Sequence, residues 1–330
     1  MLEATKRATF RAITYAGTSR NVEDTIVVAG APRSGTTWVA ELLRELNDYK
    51  LFNEPLFLSN YPEAREAGFS WRTHIAPEAQ HSKAEAYLRN ALTGRMPLGP
   101  GWHFQASSVL GKLIEHGTKH RMVVKFCRAG RLLQWMGETF SVGGVVLLIR
   151  HPCAVISSQL RHGRWDADQL VHDLESVDAL GEMPTETFER YRGMFNSLSS
   201  RLEVMTAVWC LDYYIPLLGD ESKSFPWLLL PYERLVRQGH HELERVGSFL
   251  SVDIPDSIKH SLDRPSFSAQ GDVRKEPVSQ LRKWKDHLSE SQIATILEIV
   301  DRFDLSRFYS SAPEPDYDIL NRYQAANARW

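Results

Sequence analysis

The chain has no run of 18 consecutive apolar residues, so a membrane-spanning helix is not expected. Cysteine is scarce: Cys127, Cys153 and Cys210 stand apart, with no Cys-x-x-Cys spacing. That excludes a disulfide framework and speaks against a zinc site, and the odd count suits a reducing compartment. No charge excess exists either. Lys plus Arg number 39 and Asp plus Glu 41, a formal charge of -2, which excludes a general nucleic-acid binder. The first residues lack the apolar core of a secretory signal, so a cytoplasmic location is the expectation. Internal repeats and low-complexity segments are absent. What remains is ordinary globular usage, 43% hydrophobic and 24% charged over 330 residues, enough to bury a full core without staples. Length alone is compatible with two domains. The reading preferred is one α/β domain, 1–330, that absorbs insertions.

Short continuous apolar runs recur along the chain: Thr25–Ala29, Lys50–Phe52, Met122–Phe126, Val145–Ile149 and Trp227–Leu230. Polar or helix-patterned stretches separate them. Runs of this length, apolar on both faces, predict buried strands of a parallel sheet with helices on each side. Between Thr36 and Asn47, Trp38, Val39, Leu42, Leu43 and Leu46 share one helical face. Ser289 and Gln292 form a capping-box pattern before another helix, and Leu2–Ala16 reads as a packing or surface helix. From Trp165 to Glu189 there is no Lys or Arg, but there are Asp166, Asp168, Asp173, Glu175, Asp178, Glu182, Glu186 and Glu189. This acidic insertion, bounded as 160–195, is either a solvated excursion or a helical cap over a site.

The first predicted strand ends in Gly30-Ala31-Pro32-Arg33-Ser34-Gly35-Thr36-Thr37-Trp38. Its frame is Gly-x-x-x-x-Gly between a strand and a helix. Glycines let the backbone curl so that successive N–H groups point inward, and the helix start adds its positive end. A nucleoside-triphosphate loop would carry Lys where Thr36 stands. Here the loop's cation is Arg33, three residues earlier, which suits a shorter anion chain. A second anion site follows Val145–Ile149. Where a nucleoside triphosphatase has a magnesium-holding Asp, this strand is followed by Arg150-His151-Pro152, with Ser158 eight residues after the Arg. A guanidinium there binds an anion by its two-pronged donor geometry; a surface ion pair is the plainer alternative.

These two motifs resemble those of the sulfotransferases that use 3′-phosphoadenosine 5′-phosphosulfate (PAPS). Pro32–Trp38 is similar to that family's 5′-phosphosulfate loop, with Arg for the more frequent Lys. Arg150 with Ser158 is similar to its 3′-phosphate motif, and Pro231–Leu235 resembles a Tyr-Glu-Asp-Leu segment after a late strand. The resemblance spans roughly 30 to 285. It implies a P-loop-type three-layer fold, a central parallel sheet flanked by helices. It implies PAPS as donor, with no metal required. It also implies that N–H groups of Ser34, Gly35, Thr36 and Thr37 hold the 5′-phosphate and that Arg33 stands at the bridging oxygen. Arg150 and Ser158 would hold the 3′-phosphate, with Trp38 and Tyr232 near adenine. More loosely, Arg274 and Lys275 would close over the 3′-phosphate from a basic stretch that also contains Arg282, Lys283 and Lys285.

Sulfuryl transfer to a hydroxyl needs a base. In the phenol and steroid branch of the family this is a His two residues after a strand Lys; after Lys125 that slot holds Cys127. The carbohydrate branch uses a Glu after the second strand, and Phe52-Asn53-Glu54-Pro55 matches its Glu-Pro pattern. Glu54 is therefore the expected base, with an apolar setting expected to raise its pKa. His74, in Arg72-Thr73-His74, is held in reserve, and His103 behind it. Lys125 either contacts the transferred group or forms a buried ion pair. The pairs His116/His120 and His240/His241 read as surface histidines rather than metal ligands. The expected acceptor is a hydroxyl of a carbohydrate, glycolipid or small metabolite, and the acidic insertion, if it caps the site, disfavours anionic acceptors. Two rivals stay open: a P-loop small-molecule kinase, and a catalytically silent nucleotide-binding module.

Overall fold

The computed structural model describes residues 21–97, 100–161, 180–219, 227–262 and 278–327. Six strands form one sheet in the spatial order β3-β2-β4-β1-β5-β6. They are β1 (Thr25–Gly30), β2 (Tyr49–Asn53), β3 (Trp102–His103), β4 (Arg121–Phe126), β5 (Gly144–Ile149) and β6 (Trp227–Pro231). All pairings are parallel except that of β3, which adds two residues antiparallel to β2. The sequence reading anticipated the five parallel strands and missed β3, which is too short to carry a period.

The sheet is covered on both faces because its strands are apolar on both. Val27, Val124, Leu147 and Leu229 point into one core, while Ile26, Val28, Val123, Val146 and Leu228 point into the other. The alternation is the pleat itself, since successive side chains leave a strand on opposite sides. The second core is filled by α1 (Thr36–Arg44), which buries Val39, Leu42 and Leu43. It ends at Arg44, three residues before the expected Asn47. The first core takes Leu88 of α2 (Ser82–Leu92), Cys153, Val155 and Ile156 of α4 (Pro152–Arg161), and α6 (Arg201–Leu218). Helix α6 is buried nearly all round and starts in a capping box, as does α9 (Glu290–Arg302) at Ser289 and Gln292. The remaining helices used below are α3 (Val109–Thr118), α5 (Thr185–Ser197), α7 (Tyr232–Arg237) and α8 (Gly239–Leu250).

Because the parallel strands all run one way, the chain leaves β1, β2, β4, β5 and β6 at one edge of the sheet. Residues that follow strand ends therefore gather there, where ligand sites in open α/β sheets form. The expected helix Leu2–Ala16, the pair Arg274 and Lys275, and the acids Asp166 to Asp178 lie outside the described residues. Of the acidic insertion, Glu182 and α5 are described.

Candidate active site

The loop from Gly30 to Thr36 wraps as a tight curl. Two of its residues have left-handed backbones, Arg33 at φ 74° and Gly35 at φ 103°. Gly35 caps α1, and a Cβ there would sit 2.6 Å from the Tyr232 ring. That close approach, together with φ, requires glycine. The curl is fixed from outside. The Tyr213 hydroxyl accepts from Ala31 N–H at 3.0 Å and donates to the Leu148 carbonyl at 2.7 Å. Gln159 Nε2 donates to the Pro32 carbonyl at 2.9 Å, and Arg150 Nη1 to the Arg33 carbonyl at 3.1 Å. Within the curl, Ser34 N–H donates to the Ala31 carbonyl at 3.0 Å. The Ser34 amide is thus engaged in the turn, and the first N–H groups of α1, at Thr36 and Thr37, are those a helix start leaves open for an anion.

The second motif meets the first directly. Arg33 Nε donates to Ser158 Oγ at 3.1 Å, so Ser158 in α4 reaches the loop cation. The Arg150 guanidinium lies 4.1 Å from the centre of the Tyr232 ring, and Tyr232 meets Trp38 edge-on at 5.9 Å. Trp38, which its helical face alone groups with the core and the resemblance puts near adenine, is half-buried at this rim. Two buried donors here, Trp38 Nε1 and Arg150 Nε, have no hydrogen-bond partner among the described residues. Such orphans are costly unless a ligand accepts from them. Beneath, the Glu233 carboxylate accepts from His151 N–H at 2.8 Å and from the Tyr309 hydroxyl at 3.1 Å. Burial outweighs those bonds and pushes Glu233 up to about 7. His151 stacks on Trp284 at 4.6 Å, and burial pushes it down to about 4, so it stays neutral.

Glu54 follows β2 immediately. Its backbone is left-handed at φ 53°, although it is not glycine and precedes Pro55. Such a backbone costs energy and persists where surrounding contacts hold it. Here Glu54 N–H donates to the Lys125 carbonyl at 2.8 Å, and the Glu54 carbonyl accepts from Phe57 N–H at 3.0 Å. Lys125 Nζ lies 3.0 Å from Glu54 Oε1 and 3.3 Å from Thr37 Oγ1. It therefore spans from the carboxylate to the phosphate loop. Arg128 Nη1 approaches Glu54 Oε2 at 3.6 Å, its guanidinium 5.3 Å from the Phe57 ring centre and 5.1 Å from that of Trp71.

The electrostatics correct one expectation. Burial does push the Glu54 pKa upward, but Lys125, then Arg128, then hydrogen bonds from Cys127 and Lys125 together overcome it, and the net shift is downward. Two cations, not an apolar wall, set this carboxylate. Lys125 is held above its ordinary value, because Cys127 and Glu54 outweigh its burial. Cys127 is raised to about 11 by burial and then by Glu54, so it stays a thiol; its Sγ lies 3.2 Å from Thr36 Oγ1.

The structure brings together Arg33, Thr37, Trp38, Arg150, Ser158 and Tyr232 on one side and Glu54 with Lys125 on the other. His74 sits elsewhere: its N–H donates to Glu182 at 3.3 Å, and burial and Arg131 lower its pKa. His103 is nearer, with Nε2 3.3 Å from Asn53 Nδ2. Burial, Arg44 and Lys125 push it down to about 4. His120, His240 and His241 are exposed as expected, whereas His116 is 3% exposed and receives Lys50 Nζ at its carbonyl. Sequence reasoning missed Arg128 and Gln159, and it gave no role to Glu233 within the Pro231–Leu235 motif. Arg128 carried a signal only in hindsight, as a cation just past the strand that carries Lys125.

The family model described as "Sulfotransferase family" matches residues 25–256. Among curated proteins none matches. Among solved structures, the sulfotransferase domain from the Synechococcus PCC 7002 olefin synthase is 17% identical, with a TM-score of 0.42 over 89% of this chain and 98% of that one. The sulfotransferase domain from the curacin biosynthetic pathway is 16% identical, with a TM-score of 0.46 over 87% and 99%. Mouse sulfotransferase SULT7A1 complexed with PAP is 14% identical, with a TM-score of 0.42 over 96% and 94%. The family match alone runs from β1 through the phosphate curl, Glu54 and the Arg150 motif to α8, most of the chain, and on it the chain belongs to the sulfotransferase family.

Proposed function

We propose that the protein moves the sulfuryl group of PAPS to a hydroxyl of a carbohydrate, glycolipid or small metabolite, with Glu54 as general base. The observation that carries this reading is Lys125, whose ammonium hydrogen-bonds both Thr37 in the phosphate curl and the Glu54 carboxylate. One side chain thus sets the distance between the donor cradle and the group that would take the acceptor proton.

The donor set fits PAPS. The curl with the α1 N–H groups and Arg33 offers one anion site, and Arg150 with Ser158 a second, joined by the Arg33–Ser158 hydrogen bond. Trp38 and Tyr232 add an aromatic rim with an indole N–H that has no partner among the described residues. When bound, PAPS supplies a sulfuryl group already activated by its link to phosphate. Arg33 and the helix-start amides favour negative charge on the oxygen that the sulfuryl group leaves, which lowers the barrier only because that charge grows in the transition state. Glu54 is ionised at neutral pH, because Lys125 and Arg128 hold its pKa down. Its low basicity suffices for a proton that becomes acidic as the acceptor oxygen bonds to sulfur.

The test is calorimetry with adenosine 3′,5′-bisphosphate on the wild type and on Arg150→Ala, with ATP plus Mg²⁺ as comparator. The bisphosphate should bind in preference to ATP. The variant should bind it about 10- to 150-fold more weakly, the worth of a hydrogen bond to a charged group. Preference for ATP plus Mg²⁺ would return the site to the kinase reading. Bisphosphate binding without transfer from PAPS to any acceptor panel would favour the silent module.

A further inference from the structure

Helix α3 is built inside out. Its polar residues Glu115 and His116 are 8% and 3% exposed, while Val109, Leu110 and Ile114 are 67%, 69% and 55% exposed. The inward face is held by polar bonds. Glu115 Oε2 accepts from Gln105 N–H at 2.8 Å and Ala106 N–H at 3.1 Å, and the His116 carbonyl accepts from buried Lys50. At 100° per residue, Val109, Leu110, half-buried Leu113 and Ile114 fall within one arc of about 140°. An amphipathic helix ordinarily turns that arc inward. Here it faces out, and the core beneath is satisfied without it.

The charge on the helix identifies what the arc meets. Its one acid, Glu115, is buried, and its other charged residue, Lys112, is exposed. Lys119, the C-cap, keeps partial exposure, 3.8 Å from Glu115. Arg121 beyond it is offset by Asp24 at 3.8 Å. Outward, then, the helix shows apolar groups, one cation unpaired among the described residues, Lys112, and no acid, on a chain whose formal charge is -2. Size argues in the same direction. Ten residues make a helix about 15 Å long, and four side chains on it fall well short of the ~800 Å² per partner that a stable protein interface buries. A shallow apolar strip bordered on one side by the exposed Lys112 instead fits the headgroup boundary of an anionic bilayer.

We propose that α3 docks this protein reversibly onto anionic phospholipid membranes, with Val109, Leu110, Leu113 and Ile114 inserted and Lys112 at the headgroups. The helix follows β3, which pairs with β2, the strand that leads into Glu54. Because β3 runs antiparallel to β2 and α3 leads into the start of β4, the helix lies toward the strand starts, at the end of the sheet opposite Glu54. The proposal itself does not depend on the donor reading.

Vesicle co-sedimentation tests it, with full-length protein and either phosphatidylcholine vesicles or phosphatidylcholine containing phosphatidylserine. The wild type should bind the anionic vesicles in preference and release them as salt rises. The double variant Leu110→Gln/Ile114→Gln should bind them at least about tenfold more weakly, and Lys112→Gln about fivefold more weakly. Both should keep the wild-type melting temperature, since the replaced side chains are exposed. Absence of vesicle binding, equal binding to both vesicle types, or undiminished binding by the double variant would overturn the proposal. So would self-association in sedimentation velocity that the double variant abolishes without any vesicle binding, because the occupant would then be a second copy of this chain.

Discussion

The two parts of the candidate site, the proposed donor cradle and the proposed base with its cations, are built by different means. On the donor side, the cradle is made from a few contiguous residues: a curl, a helix start, and an Arg followed eight residues later by a Ser. Side chains from elsewhere, Tyr213 and Gln159, only brace its carbonyls and amides. On the base side nothing is contiguous. Glu54 comes from the end of β2, Lys125 from β4, Arg128 from the loop beyond it, and the rings of Phe57 and Trp71 from a third stretch. The donor side is a backbone device and the base side a side-chain assembly. The first should therefore be sensitive to changes of conformation and the second to changes of charge.

Glu54→Gln separates the two most sharply. It keeps the shape and removes the proton acceptor, so turnover should fall by about 10²- to 10⁴-fold, while calorimetric affinity for adenosine 3′,5′-bisphosphate should stay within about twofold. A parallel loss of affinity would mean that the carboxylate belongs to the donor site.

Gly35→Ala is the converse. The added Cβ meets the Tyr232 ring at 2.6 Å and must adopt φ 103°, so the curl shifts. Bisphosphate affinity should drop at least about tenfold, the equivalent of ~1.4 kcal/mol, and unchanged affinity would show that the curl is not the cradle.

Arg128→Met acts on the base side alone. The folded-state pKa of Glu54 is depressed, so its ion pairs stabilise the fold above the unfolded value of about 4.3. That contribution is lost as pH falls through the folded value. Removing Arg128 leaves burial in place and takes away one of the two opposing charges. The acidic limb of kcat/KM should therefore move to higher pH, by up to about one unit. A pH–rate profile identical to wild type would show that Glu54 is not the group whose titration limits the reaction.

The smallest effect on activity is expected at Tyr213→Phe. It removes a hydroxyl that both accepts from Ala31 and donates to Leu148. The unfolding free energy measured by chemical denaturation should fall by about 1–3 kcal/mol, with turnover of the folded enzyme little changed.

Much of this architecture is legible in the residues alone. Runs such as Val145–Ile149 are apolar at every position, and only a strand covered on both faces requires that. The phosphate curl shows in Gly30 and Gly35 around Arg33, and the second anion motif in Arg150 and Ser158, because those devices are local. The antiparallel β3 left no trace, since two residues cannot show a period. Trp38 and Leu42 look alike in a helical pattern, yet the first faces the rim beside Tyr232 and the second the core.

The chain's own pattern determined the five parallel strands, the cradle between β1 and α1, and the candidacy of Glu54. Those features depend on near neighbours, where spacing in sequence is spacing in space. Tertiary structure alone decided the charge state of Glu54. Its pairing depends on the register of β2 against β4, which places Asn53 opposite Lys125. It alone also decided that α3 turns its polar face inward. A helix exposes whichever face the rest of the molecule has no use for, and here buried Lys50 and the amides of Gln105 and Ala106 needed polar partners more than the core needed Leu110.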